Sequence, residues 1–532
     1  MRLVQFGDAL TGWTVPWQDW GGLVREVMRR YDGEWVFHNL KFDLHYLERE
    51  KAAPPRAHCH DTAVLAHLIN PNGWHGLKPL ANQYLDSRLS AGQDDLHTWM
   101  ARKGWKWSTI PIDYAPYWSY AALDPVLTAN LYEVLSPMAA PYKDAYDLEL
   151  SVMSYVMDME TCGAQIDLEY CERERAELIK QVDEATLWVQ NEYGCGVGDV
   201  AVAARLLKEG VILTAETPTG KWKLDAEILE AIDHPLAQVI LKRRKAQRLS
   251  NAFFRNLIND NDNGVVHCDI KTLGARTSRM AVSRPALQQV PRGRQARDAF
   301  IPRQGNLLVD IDMDQIELRL TAHFTGDDGM IAAFFEADST GGDIFTNMAR
   351  MLTGDETLQK ESKMRQDTKQ AAYAKVYFAG VETFAHRAGV SVDEAGPFLA
   401  SYDKAFPGVK QWQDKVIAVA RKRLKEEGVA YVITPWGRRL TGDDDKLYAL
   451  ANYIIQGTAA DFLKSKIVDL GSAGLLDYAV LPVHDELLFD VPADEAADFA
   501  VEAAAIMRED KRFAVPLTCK PAIGTSWGET HG

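Results

Sequence analysis

The spacing of apolar and polar positions divides the chain into strands and helices. In residues 306–324, NLLVDIDMDQIELRLTAHF, the run Leu307, Leu308, Val309 predicts a buried strand, and Asp310, Asp312 and Asp314 follow at two-residue spacing. Strands repeat every two residues, so these three carboxylates project from one face. Ile316, Leu318, Leu320 and Phe324 then fall at roughly helical spacing, so a helix is expected from about Gln315. Further on, VLPVHDELLFDV places short apolar runs on both sides of His484-Asp485-Glu486. That pattern predicts a tight hairpin with the acids at its bend.

Residues 1 to about 138 read as one α/β unit. RLVQFGD, GWTVPW and EWVFHNL are expected strands, followed by the helix KFDLHYLERE. Asn39 and Asp43 fall at a strand-to-helix junction, and Tyr120 and Asp124 share one face of a helix running to about Met138. Residues 139–180 form a long helical stretch, and 175–260 are helical with a break at TPTGKWKLDAEILEAI. Residues 268–303 alternate between strand and loop. In 361–380, Arg365, Lys369, Tyr373 and Tyr377 are four apart and line one helix face. Two cations followed by two aromatics do not make a core stripe; they suit a triphosphate and a base. Asn452 and Gln456 share a face of a helix expected over 446–469.

With 532 residues there is room for about three or four domains. Hydrophobic content of 47% and charged content of 25% describe an ordinary soluble protein. No apolar run reaches the length of a membrane span, and the N-terminus has no signal-peptide pattern. The six cysteines are scattered without a CxxC, which predicts reduced thiols and a cytoplasmic protein. A net charge of −16 argues at first against a nucleic-acid partner. The positive charge is concentrated, however. Residues 242–255 hold six Lys or Arg and no acid, and 271–303 hold eight against one Asp. Such patches suit phosphate contacts.

The sequence DMDQIELR resembles motif A of family A DNA polymerases, the DNA polymerase I type, written DYSQIELR. The resemblance makes Asp312 a metal ligand and Met313 the donor of a backbone carbonyl to the metal. It gives Asp310 and Asp314 no such role. Gln315 and Glu317 would face the nucleotide, with Glu317 as the gate that excludes a ribose 2′-hydroxyl. Residues 361–380 resemble motif B, RxxxKxxxFGxxYG, with Arg365 and Lys369 on the triphosphate and Tyr373 and Tyr377 near the base and sugar; the two family glycines are Ala374 and Phe378 here. VHDE is similar to motif C: Asp485 is the second metal ligand, Glu486 a helper, and His484 faces the DNA. TLGARTSRMAVSRPALQQVPRG resembles TGRLSS…PNLQNIP, and Arg276 is taken as the minor-groove contact. NYIIQGTAADFLK resembles NAPMQGTAADIIK, which brings Asn452 and Gln456 to the DNA; the family Arg one turn earlier is Tyr448. In GGDIFTNMARML the family His that contacts nucleotide phosphates is Phe345, so that role is not carried over. Lys242, Arg243 and Arg244 would grip duplex backbone, which gives affinity without sequence choice.

HNLKFD and Tyr120-Ala-Ala-Leu-Asp124 resemble the second and third motifs of the 3′–5′ exonuclease that precedes the polymerase in this family. The implied architecture is multidomain, α/β and α+β: an RNase H-like exonuclease domain over 1–138, then a right-hand polymerase over 139–532. The thumb would span about 175–265, the fingers about 335–442, and the palm the remainder. The family's first exonuclease motif, Asp-x-Glu, lies on a strand that precedes one resembling RLVQFGD. Here RLVQFGD starts at Arg2, and Asp32-Gly-Glu34 is in the wrong place. Asp43, Tyr120 and Asp124 are therefore expected to be the remnant of an inactive nuclease.

The reaction implied is template-directed addition of deoxynucleotides to a primer 3′ end, in replication or repair. Two Mg²⁺ ions, for which Mn²⁺ can substitute, would stabilise the attacking and leaving oxygens. Primer–template DNA and deoxynucleoside triphosphates are the expected partners of a monomer, with no membrane partner. A phage replicase fits the length. A nuclease with a decayed polymerase half and a non-catalytic DNA-binding scaffold are the competing readings. The presence of Asp312, Arg365, Lys369 and Asp485 argues against both.

Overall fold

Four antiparallel strands make the central sheet, in the order Ala479–Val483, Glu486–Pro492, Asn306–Met313 and Cys519–Gly524. The computed structural model describes residues 2–85, 93–291, 293–509 and 511–531; Arg292 of the second basic stretch lies outside them. The strand Asn306–Met313 has a partner on each side, and Leu308 to Ile311 are buried. Only at Asp312 does the strand emerge. Its partners there are Glu486 on one side and Lys520 on the other. Burial on both faces explains the unbroken apolar run at the start of this strand. The predicted helix follows as Ile316–Thr325, after Gln315 in a left-handed conformation (φ 55°). The predicted hairpin turns at His484 and Asp485, with His484 also left-handed (φ 58°).

The first unit has two pairs of strands. Leu3–Gly7 pairs antiparallel with Gly12–Pro16, and Trp35–Phe37 pairs in parallel with Cys59–Asp61. The helix Ala115–Ala139 packs across them, and a separate apolar cluster that includes Val4, Leu44, Leu65 and Leu131 forms their core. A third cluster, with Val189, Leu206, Leu229 and Ile240, belongs to the helical stretch after residue 175.

The long helix predicted for 139–180 is two helices, Lys143–Cys162 and Leu168–Tyr193. Gly163 separates them at φ 66°, a conformation that glycine adopts without penalty. Lys143–Cys162 joins the cores. Its Tyr146 and Met153 pack in the first unit, whereas Val152 and Val156 pack in the large core around the sheet. Lys41 strengthens this junction by pairing with Glu160 and, at 2.9 Å, with Asp269. Helix Lys363–Val376 starts at Ser362, whose side chain accepts from the Arg365 N–H, and Ala449–Ser472 is the helix that carries Asn452 and Gln456. Among the described residues, no helix is long and apolar enough to cross a membrane.

Candidate active site

Asp312 and Asp485 meet where the central strand leaves the core and the hairpin turns. The Met313 N–H donates to the Asp485 carbonyl at 3.2 Å, which fixes the two segments together. Asp312 keeps an exposed edge, yet the cleft walls, then Asp485 and Glu486, push its carboxyl up to about 7. Burial likewise raises Asp485 above the usual carboxylate range. Two partly buried carboxylates brought together in this way offer all-oxygen donors that suit a hard divalent cation. Met313 is buried, so its side chain faces the core and only its backbone borders the cleft.

The three carboxylates predicted on one face have three different fates. Asp310 is buried under the C-terminal turn, where its Oδ2 accepts from Thr530 Oγ1 at 3.1 Å and lies 3.2 Å from His531 Nδ1. Asp314 is neutralised by Arg319 at 3.3 Å and Lys520 at 3.2 Å. Asp312 alone is left for the cleft. Glu486 is also committed: Trp527 Nε1 donates to its Oε1 at 2.7 Å, and His531 Nε2 is 3.3 Å from its Oε2. Its carboxylate holds the C-terminal turn against the hairpin.

Glu317 faces the same cleft from the first turn of Ile316–Thr325. Arg279 pairs with its Oε1, and the Tyr377 hydroxyl donates to its Oε2 at 2.5 Å. Arg279 also lines a crevice with His484 and Asp485. Arg276, the expected DNA contact, is instead exposed and pairs with Asp443 at 2.8 Å. Arg279 is thus the cleft residue that the sequence reading missed. Its signal was present, because Thr277-Ser278-Arg279 keeps the Thr-x-Arg spacing that opens TGRLSS, with Ser in place of Gly.

Lys363–Val376 presents Arg365, Lys369 and Tyr373 in series, and Tyr377 follows as the helix C-cap. Arg365 is buried and bound through two contacts to Asp343, at 2.6 and 2.8 Å. That partner, against the opposing effect of burial, holds Asp343 down at about 2. Lys369 has no carboxylate partner among the described residues; it lies over the Phe345 ring at 5.6 Å, beside Arg365 at 5.3 Å. Two departures from motif spelling touch each other. Phe378, left-handed at φ 55° where the motif has glycine, lies 5.8 Å from Tyr448, which replaces the family Arg. Gln315 Oε1 and Asn452 Nδ2 are buried without hydrogen-bond partners. Gln456 bonds Tyr377.

The basic helix Pro235–Arg248 is partly spent internally. Arg244 pairs with Asp199 and Arg243 Nε donates to Thr186 Oγ1 at 2.8 Å, so of the three expected phosphate contacts Arg244 is the one in an ion pair among the described residues.

In the first unit, Asp43 lies near Asp61 and Asp124. Burial, then those two carboxylates, raise it to about 7. Sequence reasoning missed Asp61. It is buried, and it accepts from the Asn39, Leu40 and Ala63 N–H groups at 2.8–3.0 Å, so it braces the junction that presents Asp43. Asp124 pairs with Lys78, whose ammonium lies 5.0 Å from the Tyr120 ring centre.

A family profile described as DNA polymerase family A matches residues 201–529. The chain belongs to DNA polymerase family A. A 3′–5′ exonuclease profile matches residues 7–140 of the same polymerase. The DNA polymerase of Mycobacterium phage D29 is 30% identical over 569 residues, covering 100% of this chain and 90% of that protein. DNA polymerase I of Chloroflexus aurantiacus is 28% identical, covering 92% of this chain and 54% of that one. The solved structure described as the POL domain of Pol1 from M. smegmatis in complex with DNA primer-template and dNTP superposes with a TM-score of 0.80. It covers 100% of this chain and 96% of its own, and at 23% identity it shows the shared fold. The right-hand polymerase with an exonuclease-like domain, expected from the motifs, is therefore present.

Proposed function

We propose that this DNA polymerase transfers nucleotides by two-metal chemistry at Asp312 and Asp485, on primer–template DNA and deoxynucleoside triphosphates. The observation that carries the reading is the convergence of these two carboxylates, whose pKa values are raised first by burial and, for Asp312, by the neighbouring Asp485. Mg²⁺ held there, or Mn²⁺ in its place, would activate the primer 3′-hydroxyl and offset charge on the leaving pyrophosphate. Glu317, fixed from both sides by Arg279 and Tyr377, forms a rigid floor beneath the sugar and excludes a ribose 2′-hydroxyl. Lys369 receives the triphosphate, with Arg365 anchored behind it. Gln315, Asn452, Gln456 and His484 border the nucleotide and the duplex, and Lys242, Arg243 and Arg244 face its backbone. The proposed domains are 1–138 exonuclease-like, about 175–265 thumb, about 335–442 fingers, and the remainder palm; a separate apolar core largely within 1–138 and another within 175–265 support the first two. The polymerase acts as a monomer in the cytoplasm of a bacterial or phage-infected cell. Primer extension on a primed template with Mg²⁺ is the test: shortening of the primer, or binding without extension, would overturn the reading.

Tyr373 carries a hydroxyl where motif B has Phe. That hydroxyl can stand in for the missing 3′-hydroxyl of a dideoxynucleotide. Efficient chain termination is expected, and Tyr373→Phe should discriminate against dideoxynucleotides by a further factor of about 10–100, the worth of one well-placed hydrogen bond. Equal termination by the two proteins would contradict this.

The exonuclease-like domain is proposed to be inactive. Asp124 is paired with Lys78, and Asp61 accepts from three backbone N–H groups, so both acidic neighbours of Asp43 are already engaged. Metal affinity falls steeply as charged ligands are lost. Labelled single-stranded DNA incubated with the polymerase and Mg²⁺ or Mn²⁺, without nucleotides, should keep its length. Progressive shortening from the 3′ end that vanishes in Asp43→Ala would show an intact nuclease.

A further inference from the structure

We propose that Phe345 is a positioning residue for triphosphate binding: the face of its ring holds the Lys369 ammonium in place while leaving its charge available. The proposal rests on the reading of Lys369 as the triphosphate ligand. Phe345 is buried in the first turn of the helix Ile344–Thr353. Its ring centre lies 5.6 Å from Lys369 Nζ, 5.3 Å from the Arg365 guanidinium carbon and 6.0 Å from the Tyr373 ring. One apolar side chain thus touches three successive members of the motif B face.

The physical reason lies in how the two cations are held. Arg365 has a carboxylate, Asp343, which fixes it through two hydrogen bonds and cancels its charge. Such a partner would hold Lys369 firmly too, but would compete with phosphate for it. A free lysine side chain, by contrast, samples many rotamers, and ordering it on binding costs affinity. An aromatic face resolves the conflict. Its quadrupole attracts the ammonium without neutralising it. The ion pair Asp343–Arg365 also fixes the end of the helix that carries Phe345, because Asp343 is its N-cap and accepts from the Thr346 N–H at 2.9 Å. Helix, ring and ammonium are therefore set by one local arrangement.

The test compares Phe345→Leu and Phe345→Met, which keep apolar volume without a ring, with Phe345→Tyr, which keeps the ring. Lys369→Ala and the double variant Phe345→Leu/Lys369→Ala complete a cycle. Single-nucleotide extension gives KM for the triphosphate and kcat, and thermal melting confirms folding. In Phe345→Leu and Phe345→Met the triphosphate KM should rise about five-fold, the size of one cation–π contact, with kcat and primer–template affinity changed less than about two-fold. Phe345→Tyr should restore the KM. The double variant should be no worse than Lys369→Ala, because the ring acts through the ammonium. An unchanged KM in the ringless variants, or multiplicative effects in the double variant, overturns the positioning role alone. An unchanged KM in Lys369→Ala overturns the triphosphate reading and this proposal with it.

Discussion

Alanine at Asp312 or Asp485 should reduce primer extension by at least about 10³-fold while primer–template binding persists. Asp312 is exposed and Asp485 half-buried at the cleft, and the other nearby acids are already engaged: Asp314 by Arg319 and Lys520, Glu486 by Trp527 and His531, Asp310 by Thr530 and His531. No redundant ligand stands ready to replace either one. The basic residues expected to grip DNA lie on other elements, so binding should survive. Asp310→Ala should be much milder, since Asp310 supports the C-terminal turn rather than the cleft. Extension comparable to the unaltered polymerase in either Asp312→Ala or Asp485→Ala, or equal damage from Asp310→Ala, would show that the ligands have been misassigned. A pH effect accompanies this. With its pKa at about 7, metal-free Asp312 is protonated on the acid side, and protons compete with the cation. At low Mg²⁺, extension should decline as pH falls below about 7, and raising Mg²⁺ should move that decline to lower pH.

Glu149→Ala should destabilise the polymerase by about 3–5 kcal/mol, the cost of stranding buried cations. Glu149 is fully buried on the helix Lys143–Cys162. It accepts from Arg438 Nη2 at 2.5 Å and pairs with Lys464, and Arg438 Nε also reaches Asp461 at 2.7 Å. All four side chains are 0–1% exposed, so water cannot take over a lost partner. Burial alone would push Glu149 up, but Lys464 and Arg438 outweigh it and hold the carboxyl below its ordinary range. Lys464 further donates to the Ser278 carbonyl at 2.9 Å, directly before Arg279. Loss of Glu149 should therefore also loosen the segment that holds Glu317. Chemical denaturation and melting measure the first effect. Replacing both partners, Glu149→Leu with Lys464→Met, should recover much of the loss, because apolar pairs of similar volume often match a buried ion pair. A melting profile for Glu149→Ala that overlays the parent would exclude a role for this network in stability.

Much of the site was legible because its chemistry is written in local periods. The two-residue spacing of Asp310, Asp312 and Asp314, the four-residue spacing from Arg365 to Tyr377, and the acids at a hairpin bend each follow from backbone geometry. The motif order then separated a polymerase from a bare acidic strand. The failures are equally physical. Arg276 and Arg279 are three apart in a loop with left-handed Ser278, where no period tells which one turns inward. Tertiary partners decided it: Glu317 took Arg279, and Asp443 took Arg276.

What the sequence by itself determined is therefore the set of elements, the face on which each carboxylate or cation lies, and the family. What only the tertiary structure decided is what covers each face. Asp310 and Asp312 share a side of one strand, yet the C-terminal turn buries the first and leaves the second at the cleft. The same holds for Phe345, which sequence comparison marked only as a missing histidine and which packing placed under Lys369. Local periodicity follows from bonds between neighbouring residues. Burial and pairing follow from contacts between segments hundreds of positions apart, and those exist only once the cores have formed.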